Sequence, residues 1–588
     1  MGSNHKKEQG KFYMQSTVEI LFGLFGGLAI FIFGMNMMSE CLQKAAGEKM
    51  KAILGMLTKN PVMGVLAGAL VTAVLQSSSA TTVMAIGFVS AGLMTLPQAI
   101  SIIFGANIGT TMTAQIIAFK ISDYIYLFIF AGFIVAFISK SEKIKNIGQT
   151  VFAFGLLFLG IDTMGGVMKP LASSPVFTTM IAKVADIPVL GVAVGALMTL
   201  VVQSSSATIA VLQNFASQPG ADGGISIIGL AGAIPILLGD NIGTTITALL
   251  ASIGQPRDAK RTALAHSIFN ISGSFLFIWF VTPFAEIIKM ISPKGPEIEV
   301  ISRQIANAHT GFNLVMTIIW TPLLWLMVKI VMRLIPDGKE AAGHPSEPVY
   351  LDERLVGQPA AALQLVAREV LRVSDIVEEL LQNASVAARK EDRALLDSMN
   401  EKAQTVESLS SKITEYLSGL FSAGVLTEEQ ANQTAGIMYV LSDVERMGIL
   451  CNDIADFLED KLAKKYKYSK DAMKDLEKSL KVIEEMYSGA IDVMTSGNQD
   501  SAKKIRKRRE KVLDLDIEMR KGHMERVSKG KCAANMTASL NNILHSVDRM
   551  GNCCVNIADA ALGKVDMTYF IEAGEKEGEQ ILIRRLRL

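Results

Sequence analysis

The residues of this chain best suited to chemistry are uncharged. Gln76-Ser77-Ser78-Ser79-Ala80-Thr81 recurs as Gln203-Ser204-Ser205-Ser206-Ala207-Thr208, each time inside a long apolar stretch. Hydrocarbon supplies no hydrogen bonds, so a run of Gln and three Ser at membrane depth persists only where it faces protein, a cavity or a bound ion. Serine lets a helix break and turn there, and the helix that resumes presents free backbone N–H groups at its N-terminal end, which attract anions. The hydroxyls of both serine triplets add donors, and hydroxyls release an anion more readily than Lys or Arg would. The Gln oxygens, Thr hydroxyls and unwound carbonyls are hard oxygen ligands that suit a small cation such as sodium.

The two copies lie 127 positions apart, and the register holds upstream: Pro61-Val62-Met63-Gly64 matches Pro188-Val189-Leu190-Gly191, and Thr72 matches Thr199. Downstream, Asn107-Ile108-Gly109-Thr110-Thr111 matches Asn241-Ile242-Gly243-Thr244-Thr245 after a loop that is longer in the second copy. An internal duplication of this kind marks a transporter made from two related halves. One Ser-rich run by itself could equally serve close helix packing; two identical runs, each followed by the same Asn and Thr pattern, favour a site, because packing alone does not demand Gln and Asn at fixed places. The glycines from Gly105 to Thr111 lack the Gly-Lys-Ser/Thr ending of a phosphate-cradling loop, which argues against ATP-driven pumping.

The elements that must position these residues belong to the first of two very different halves. The chain has 588 residues and a net charge of +1, but that balance averages an apolar, glycine-rich half up to about residue 334 with a half, 350–588, dense in Lys, Arg, Glu and Asp. Apolar stretches at Val18–Met35, Tyr124–Ile138, Val151–Leu159, Ile271–Val281 and Val315–Val331 approach or reach the roughly 20 residues that cross a bilayer. The polar start, 1–15, reads as a tail, and the first span as a retained helix, since no small-residue cleavage site follows it. The five cysteines form no Cys-x-x-Cys pair and suit a reducing compartment. Basic residues gather at Lys44, Lys49 and Lys51, at Lys140, Lys143 and Lys145, and at Arg257, Lys260 and Arg261, whereas the Ser217–Gly224 loop has none. By the positive-inside rule those basic loops and the charged half are cytoplasmic. A proline-bearing linker is expected over 336–359.

Past the linker, Val366, Val370, Val373, Val377 and Leu380, and again Met473, Leu476, Leu480, Ile483 and Tyr487, step by three and four, the period of amphipathic helices. Thr427 and Gln430 have the spacing of a capping box. Val444-Glu445-Arg446-Met447-Gly448 with Ile454-Ala455-Asp456 recurs 103 positions later as Val547-Asp548-Arg549-Met550-Gly551 with Ile557-Ala558-Asp559. Two tandem helical bundles of about three helices each are expected over 360–565, with a tail at 566–588.

The paired Gln-Ser-Ser-Ser segments, each followed by Asn-Ile-Gly-Thr-Thr, resemble the sodium-dependent phosphate cotransporter family of the type II class, in its bacterial form. The resemblance covers about 16–334 and includes two His-x-x-Phe-Asn segments, His266–Asn270 and His309–Asn313. It implies an all-α, polytopic membrane domain over 16–335, made of two inverted repeats (about 16–140 and 147–334), with each Gln-Ser-Ser-Ser near the tip of a re-entrant hairpin and both tips at a central site. On that analogy Gln76, Ser77, Ser78, Ser79, Gln203, Ser204, Ser205, Ser206, Asn107 and Asn241 bind phosphate, while Thr110, Thr111, Asp240, Thr244 and Thr245 serve sodium. Asp240 breaks the symmetry, because Ala106 holds its place in the first copy; a cation site is favoured for it over an ion pair or a cap, since intramembrane acids are costly. Asp162 reads as a cap or interface residue. His266 and His309 read as hydrogen-bonded packing residues, with no Cys, Asp or Glu at metal-ligand spacing.

The charged half resembles the PhoU family of phosphate-regulation proteins, whose acidic-Arg-x-Gly-Asp segments bind metal clusters. Here the fifth position is Ile449 in one copy and Asn552 in the other. A single carboxylate chelates poorly where two, one helical turn apart, would chelate well. That leaves Glu445 and Asp548 as weak metal candidates and favours a Glu445 that pairs with a basic neighbour or caps a turn.

The combined expectation is sodium-coupled phosphate transport by alternating access in a bacterial cytoplasmic membrane, with a cytoplasmic PhoU-like regulatory domain. No catalytic residue and no cofactor are expected, sodium being a coupling ion. Phosphate, sodium and the lipid bilayer are the expected partners, with a homodimer and a regulatory partner of the helical half as further candidates and no nucleic acid. The competing readings are a membrane-anchored phosphate sensor and a transporter of another oxyanion.

Overall fold

The computed structural model describes residues 19–44, 60–90, 94–119, 121–184 except 173–182, 186–220, 225–336, 345–390, 392–463, 469–564, 566–571 and 573–574. It divides into two compact units, Met1–Glu340 and Ala341–Leu588. Both are helical, and the expected tail at 1–15 lies outside the described residues.

In the first unit, five stretches among the described residues are long and apolar enough to cross a membrane: α1 (Glu19–Lys44), α4 (Leu96–Ile117), α6 (Glu142–Ala172, of which Glu142–Val167 qualifies), α9 (Gly229–Ala251) and the composite Arg257–Ile291, which joins α10 (Arg257–Phe277) to α11 (Val281–Ile291). This is a multi-pass membrane protein. The expected spans Val151–Leu159 and Ile271–Val281 fall inside these stretches, and Val18–Met35 does so from Glu19 on, Val18 lying outside the described residues. The other two do not stand as single spans. Tyr124–Ile138 forms α5 (Ile125–Ile138), whose 14 residues reach only about 21 Å, short of a hydrocarbon core of about 30 Å. Val315–Val331 is broken by an 84° bend between α12 (Glu297–Trp320) and α13 (Leu324–Leu334). Pro322 sits in that break, where it removes a helical N–H and clashes with the preceding turn.

The duplicated motifs fold into duplicated elements. α2 (Pro61–Leu75) and α3 (Ser78–Ser90) flank the first Gln-Ser break; α7 (Pro188–Val202) and α8 (Ser205–Ala216) flank the second. In a continuous helix, residues nine apart are separated by about 13 Å along the axis. Here the Thr72 hydroxyl donates to that of Thr81 at 2.8 Å and Thr199 to Thr208 at 3.1 Å, so the chain doubles back at each break. Each arm, at 12 to 15 residues, is too short to cross alone.

The Asn-Ile-Gly-Thr-Thr motifs sit midway along α4 and α9, which are largely buried between the hairpins and α10 and α12. Their polarity had hidden both helices from a search for apolar runs. Without a hydrophobic driving force between helices in lipid, association depends on close van der Waals approach. Gly105 and Gly239, at equivalent positions, supply it. A β-carbon on Gly105 would lie 1.9 Å from the Val65 carbonyl oxygen of α2, and one on Gly239 2.0 Å from that of Val192 on α7.

Not every basic residue of the expected loops is a solvated charge. Arg261 is 4% exposed; its guanidinium donates to the Ile335 carbonyl at 2.9 and 2.7 Å and pairs with Asp258 at 2.7 Å, while Arg257 donates to the Pro336 carbonyl. These two arginines cap the C-terminal end of α13. Lys49 and Lys51 lie outside the described residues.

The second unit holds two three-helix bundles: α14 (Pro359–Arg389), α15 (Arg393–Ser422) and α16 (Glu428–Ala463), then α17 (Lys470–Ser496), α18 (Gln499–Ser528) and α19 (Thr537–Asp559). They pack through α14 against α17 and α16 against α19. The valine stripe of α14 is fully buried, and Thr427 and Gln430 exchange the reciprocal bonds of a capping box at 3.0 and 3.2 Å. The expected linker and tail are both shorter than the sequence suggested. Residues 345–358 are pinned to the bundle: the buried Glu369 carboxylate accepts from the N–H groups of Val349 and Tyr350 at 2.9 and 2.7 Å, and Tyr416 donates to the Asp352 carbonyl at 2.8 Å. Met567, Tyr569, Phe570 and Ala573 are buried, so the bundle continues past 565.

Gly105→Ala and Gly239→Ala are expected each to lower thermal stability by about 2 kcal/mol, the usual scale of an overpacked contact. Gly26→Ala, where nothing lies within 4 Å, should leave it unchanged. Thermal unfolding of the purified variants in detergent checks both.

Candidate functional site

Among the described residues, Gln76 and Gln203 are the non-glycine residues with positive φ, at 52° and 57°. The left-handed conformation is strained for a residue with a β-carbon and persists where the surroundings over-determine it. Both side chains are fixed in the same way. The Gln76 amide donates to the Ala73 carbonyl at 2.5 Å, and its Oε1 accepts from the Thr113 hydroxyl at 2.9 Å. The Gln203 amide donates to the Leu200 carbonyl at 2.5 Å, and its Oε1 accepts from Thr247 at 3.3 Å. Each Gln thereby ends one helix while a threonine of the facing spanning helix holds it in place.

The next residue starts the following helix. Ser77 Oγ accepts from the Ala80 N–H and Ser204 Oγ from the Ala207 N–H, both at 3.2 Å, as helix caps do. The two breaks meet around one cavity of about 280 Å³, lined by Gln76–Ser79, Gln203–Ser206, Leu75 and Val202, and closed by Ile32, Met35, Asn36 and Ser39 of α1. The Ser39 hydroxyl donates to the Leu75 carbonyl at 2.6 Å, satisfying an orphan acceptor at the end of α2. No lining side chain is charged. Two helix N-termini face the cavity, and each contributes roughly half a unit of positive charge through unpaired N–H groups. Such a site favours an anion with several acceptor oxygens.

The other expected ligands stand outside the cavity lining. Thr110 reaches it through Ser78, donating at 3.2 Å. Asn107 Oδ1 lies 3.3 Å from His266 Nε2, and Asn241 Oδ1 3.2 Å from His309 Nε2, so the two His-x-x-Phe-Asn segments hold the two motif asparagines in the same way. The hydroxyls of Thr111 and Thr245 turn back onto the Ile108 and Ile242 carbonyls at 2.8 Å, and Thr244 onto the Asp240 carbonyl at 3.0 Å. Asp240 is fully buried: Oδ1 accepts from Thr199 at 2.5 Å, Oδ2 has no hydrogen-bond partner, and no basic side chain pairs with it among the described residues. Its counterpart Ala106 leaves the Thr72–Thr81 pair alone.

Sequence reasoning missed Thr113 and Thr247, although a third threonine stands at the same offset in both motifs. It also missed Asn36 and Ser39, and no repeat or spacing in the sequence marks them.

In the second unit, among the described residues, the expected basic neighbour is found at Asp548 and not at Glu445. Arg509 donates to Asp548 at 2.5 Å and to Asn552 at 2.9 Å, covering the pair of positions where two carboxylates would chelate. In the first copy Val406 packs against Gly448 where Arg509 packs against Gly551. Burial, and then the Glu407 charge, raise the Glu445 carboxyl above its ordinary range. Among the described residues no three His, Cys, Asp or Glu side chains are grouped to hold a metal ion.

Comparison with known families places residues 30–166 and 168–317 with the Na+/Pi-cotransporter model, and residues 370–458 and 476–561 with the PhoU domain. YjbB of Salmonella typhimurium, named for inorganic phosphate export, is 25% identical over 549 residues, which is 93% of this chain and 98% of that protein. The uncharacterised protein YqeW of Bacillus subtilis is 31% identical over 309 residues, 53% of this chain and 96% of that protein. Sodium-dependent phosphate transport protein 2A of Rattus norvegicus is 25% identical over 397 residues, 44% of this chain and 60% of that protein. No solved structure matches the chain.

Replacing Gln76 or Gln203 with Gly removes a β-carbon penalty of about 1 kcal/mol but also the two side-chain hydrogen bonds, worth about 1 kcal/mol each, so thermal stability should fall by about 1 kcal/mol. Gln76→Val, which loses the same bonds and keeps a β-branched side chain at that φ, should fall below both Gly variants.

Proposed function

The chain belongs to the Na+/Pi-cotransporter family, a family of phosphate transporters, and carries PhoU domains beyond its membrane unit; from that premise we propose that it couples phosphate movement to sodium by alternating access. The observation that carries this reading is the uncharged cavity on which both Gln-Ser-Ser-Ser breaks converge. Phosphate is held there by the N–H groups that open α3 and α8 and by the hydroxyls of Ser77, Ser78, Ser79, Ser204, Ser205 and Ser206. Gln76 and Gln203 shape the two breaks. Asn107 and Asn241 act one layer behind, each steadied by its histidine.

Two helix ends supply about one unit of positive charge, which undercompensates a phosphate dianion. Sodium supplies the remainder, with Asp240, whose second oxygen is uncommitted, and the neighbouring threonines Thr110, Thr111, Thr244 and Thr245 as its candidate ligands. Neutral donors suit a cycle, since a fixed Lys or Arg would bind the anion too firmly to release it. The two halves act as inverted repeats that rock around the cavity, and the flux follows the gradients. This accommodates relatives named for export and for sodium-dependent transport alike. The positive-inside pattern supports PhoU domains on the cytoplasmic side of a bacterial cytoplasmic membrane, with a regulatory role in transport.

Labelled phosphate should enter proteoliposomes containing the full chain faster with a sodium gradient than without one. Flux independent of sodium would remove the coupling, and no phosphate flux with intact phosphate binding would favour a sensor. Ser78→Ala and Ser205→Ala should each raise the half-saturation concentration for phosphate roughly tenfold, as loss of a hydrogen bond to a charged ligand does. Unchanged values in both would move the substrate site elsewhere.

A further inference from the structure

A second cavity, of about 340 Å³, lies at the other end of α8. Gln213 there is seven residues beyond Ser206, about 10 Å along the helix. The last turn of α4 borders it, with Asp162 of α6, Gln213, Asn214, Ser217 and Gln218 at the end of α8, and Ser302 of α12. Its chemistry is the inverse of the phosphate cavity's. Two helix C-termini meet at it, so the backbone contributes negative partial charge. Most of the amide donors are already spent. Gln213 Nε2 donates to the carbonyls of Ala114 and Ser302 at 3.1 and 2.8 Å, Asn214 Nδ2 to the Ile161 carbonyl at 2.8 Å and Gln218 Nε2 to the Asn214 carbonyl at 3.2 Å. The Ser217 hydroxyl donates to the Gln213 carbonyl at 2.9 Å.

Oxygens remain. Gln213 is 1% exposed, and its Oε1 is buried without a hydrogen-bond partner. The two carbonyls on Nε2 fix the orientation of that amide, because a carbonyl can only accept. Asp162 is an exposed residue of the cavity lining and has no basic partner among the described residues, so its carboxylate is open to a ligand. We propose that this cavity is a cation site for a small hard monovalent ion of the sodium class, with the Asp162 carboxylate and Gln213 Oε1 as ligands. Its helix α8 then carries an anion at its positive end and a cation at its negative end, so one rigid element senses both ligands. The assignment is an alternative to the cap or interface role expected of Asp162, and it rests on the sodium-coupled reading above.

The test is ligand-induced thermal stabilisation of the full chain in detergent. Sodium chloride is titrated against a choline chloride background without phosphate, and inorganic phosphate is titrated separately. The wild type should be stabilised by sodium. Asp162→Asn should raise the half-effective sodium concentration about tenfold or more, the scale of losing a charged ligand, with its phosphate response at saturating sodium within twofold of wild type. Asp162→Glu, which keeps the charge, should retain the sodium response and serves if the Asn variant does not fold. Equal sodium titrations for wild type and Asp162→Asn, or a wild type that responds to phosphate but not to sodium, would overturn the cation site and leave phosphate binding standing. Loss of the phosphate response in Ser78→Ala and Ser205→Ala is read in the other titration, so the two failures are distinguishable.

Discussion

A polypeptide inside a bilayer must satisfy its own backbone, and a helix broken there leaves N–H and C=O groups that lipid cannot pair. This chain breaks two helices at equivalent places and concentrates the consequences. The glutamines adopt a left-handed backbone, their amides turn back to the carbonyls of the helix just ended, and the serines that follow cap the next helix. The residues of both breaks line one shared cavity. What that candidate site can offer a ligand is the unpaired remainder of the backbone, and α1, α4 and α9 hold the two breaks at that spot.

That holding is done by close contact. α4 and α9 press against the first arms of the hairpins at glycine, near enough for their threonines to reach the glutamine oxygens. The same helices carry the asparagines that meet His266 and His309. A stabilising contact and a site-building contact are therefore the same contact. The motifs that read as ligands in the sequence stand a layer behind the cavity, and the residues that hold its lining glutamines, Thr113 and Thr247, lie just past them on the same two helices.

The symmetry is not complete. Asp240, fully buried, stands where the first copy has Ala106. In the second unit, Arg509 covers Asp548 and Asn552 of one PhoU segment, while the equivalent place in the other copy is held by Val406. Duplication gives each unit its framework, and single substitutions differentiate the copies.

Much of this was legible in the letters because it depends on local chemistry. The paired breaks follow from Gln-Ser-Ser-Ser within apolar runs, the amphipathic bundle from its three-and-four spacing, and the capping box from Thr427 and Gln430. What could not be read depends on which distant surfaces meet. Asn36 and Ser39 enter the cavity wall from a helix whose apolar composition reveals only that it spans, and Gln213 becomes a bare acceptor only because the carbonyls of α4 and α12 take its donors. The helices α4 and α9 escaped the search for spans because their polar motifs lower the apolar signal, and the 84° break at Pro322 escaped because a proline marks a possible bend without fixing its angle. Sequence determines where a chain must break and what each broken end can offer. Tertiary structure decides which ends face one another, since that is set by packing between segments a hundred or more residues apart.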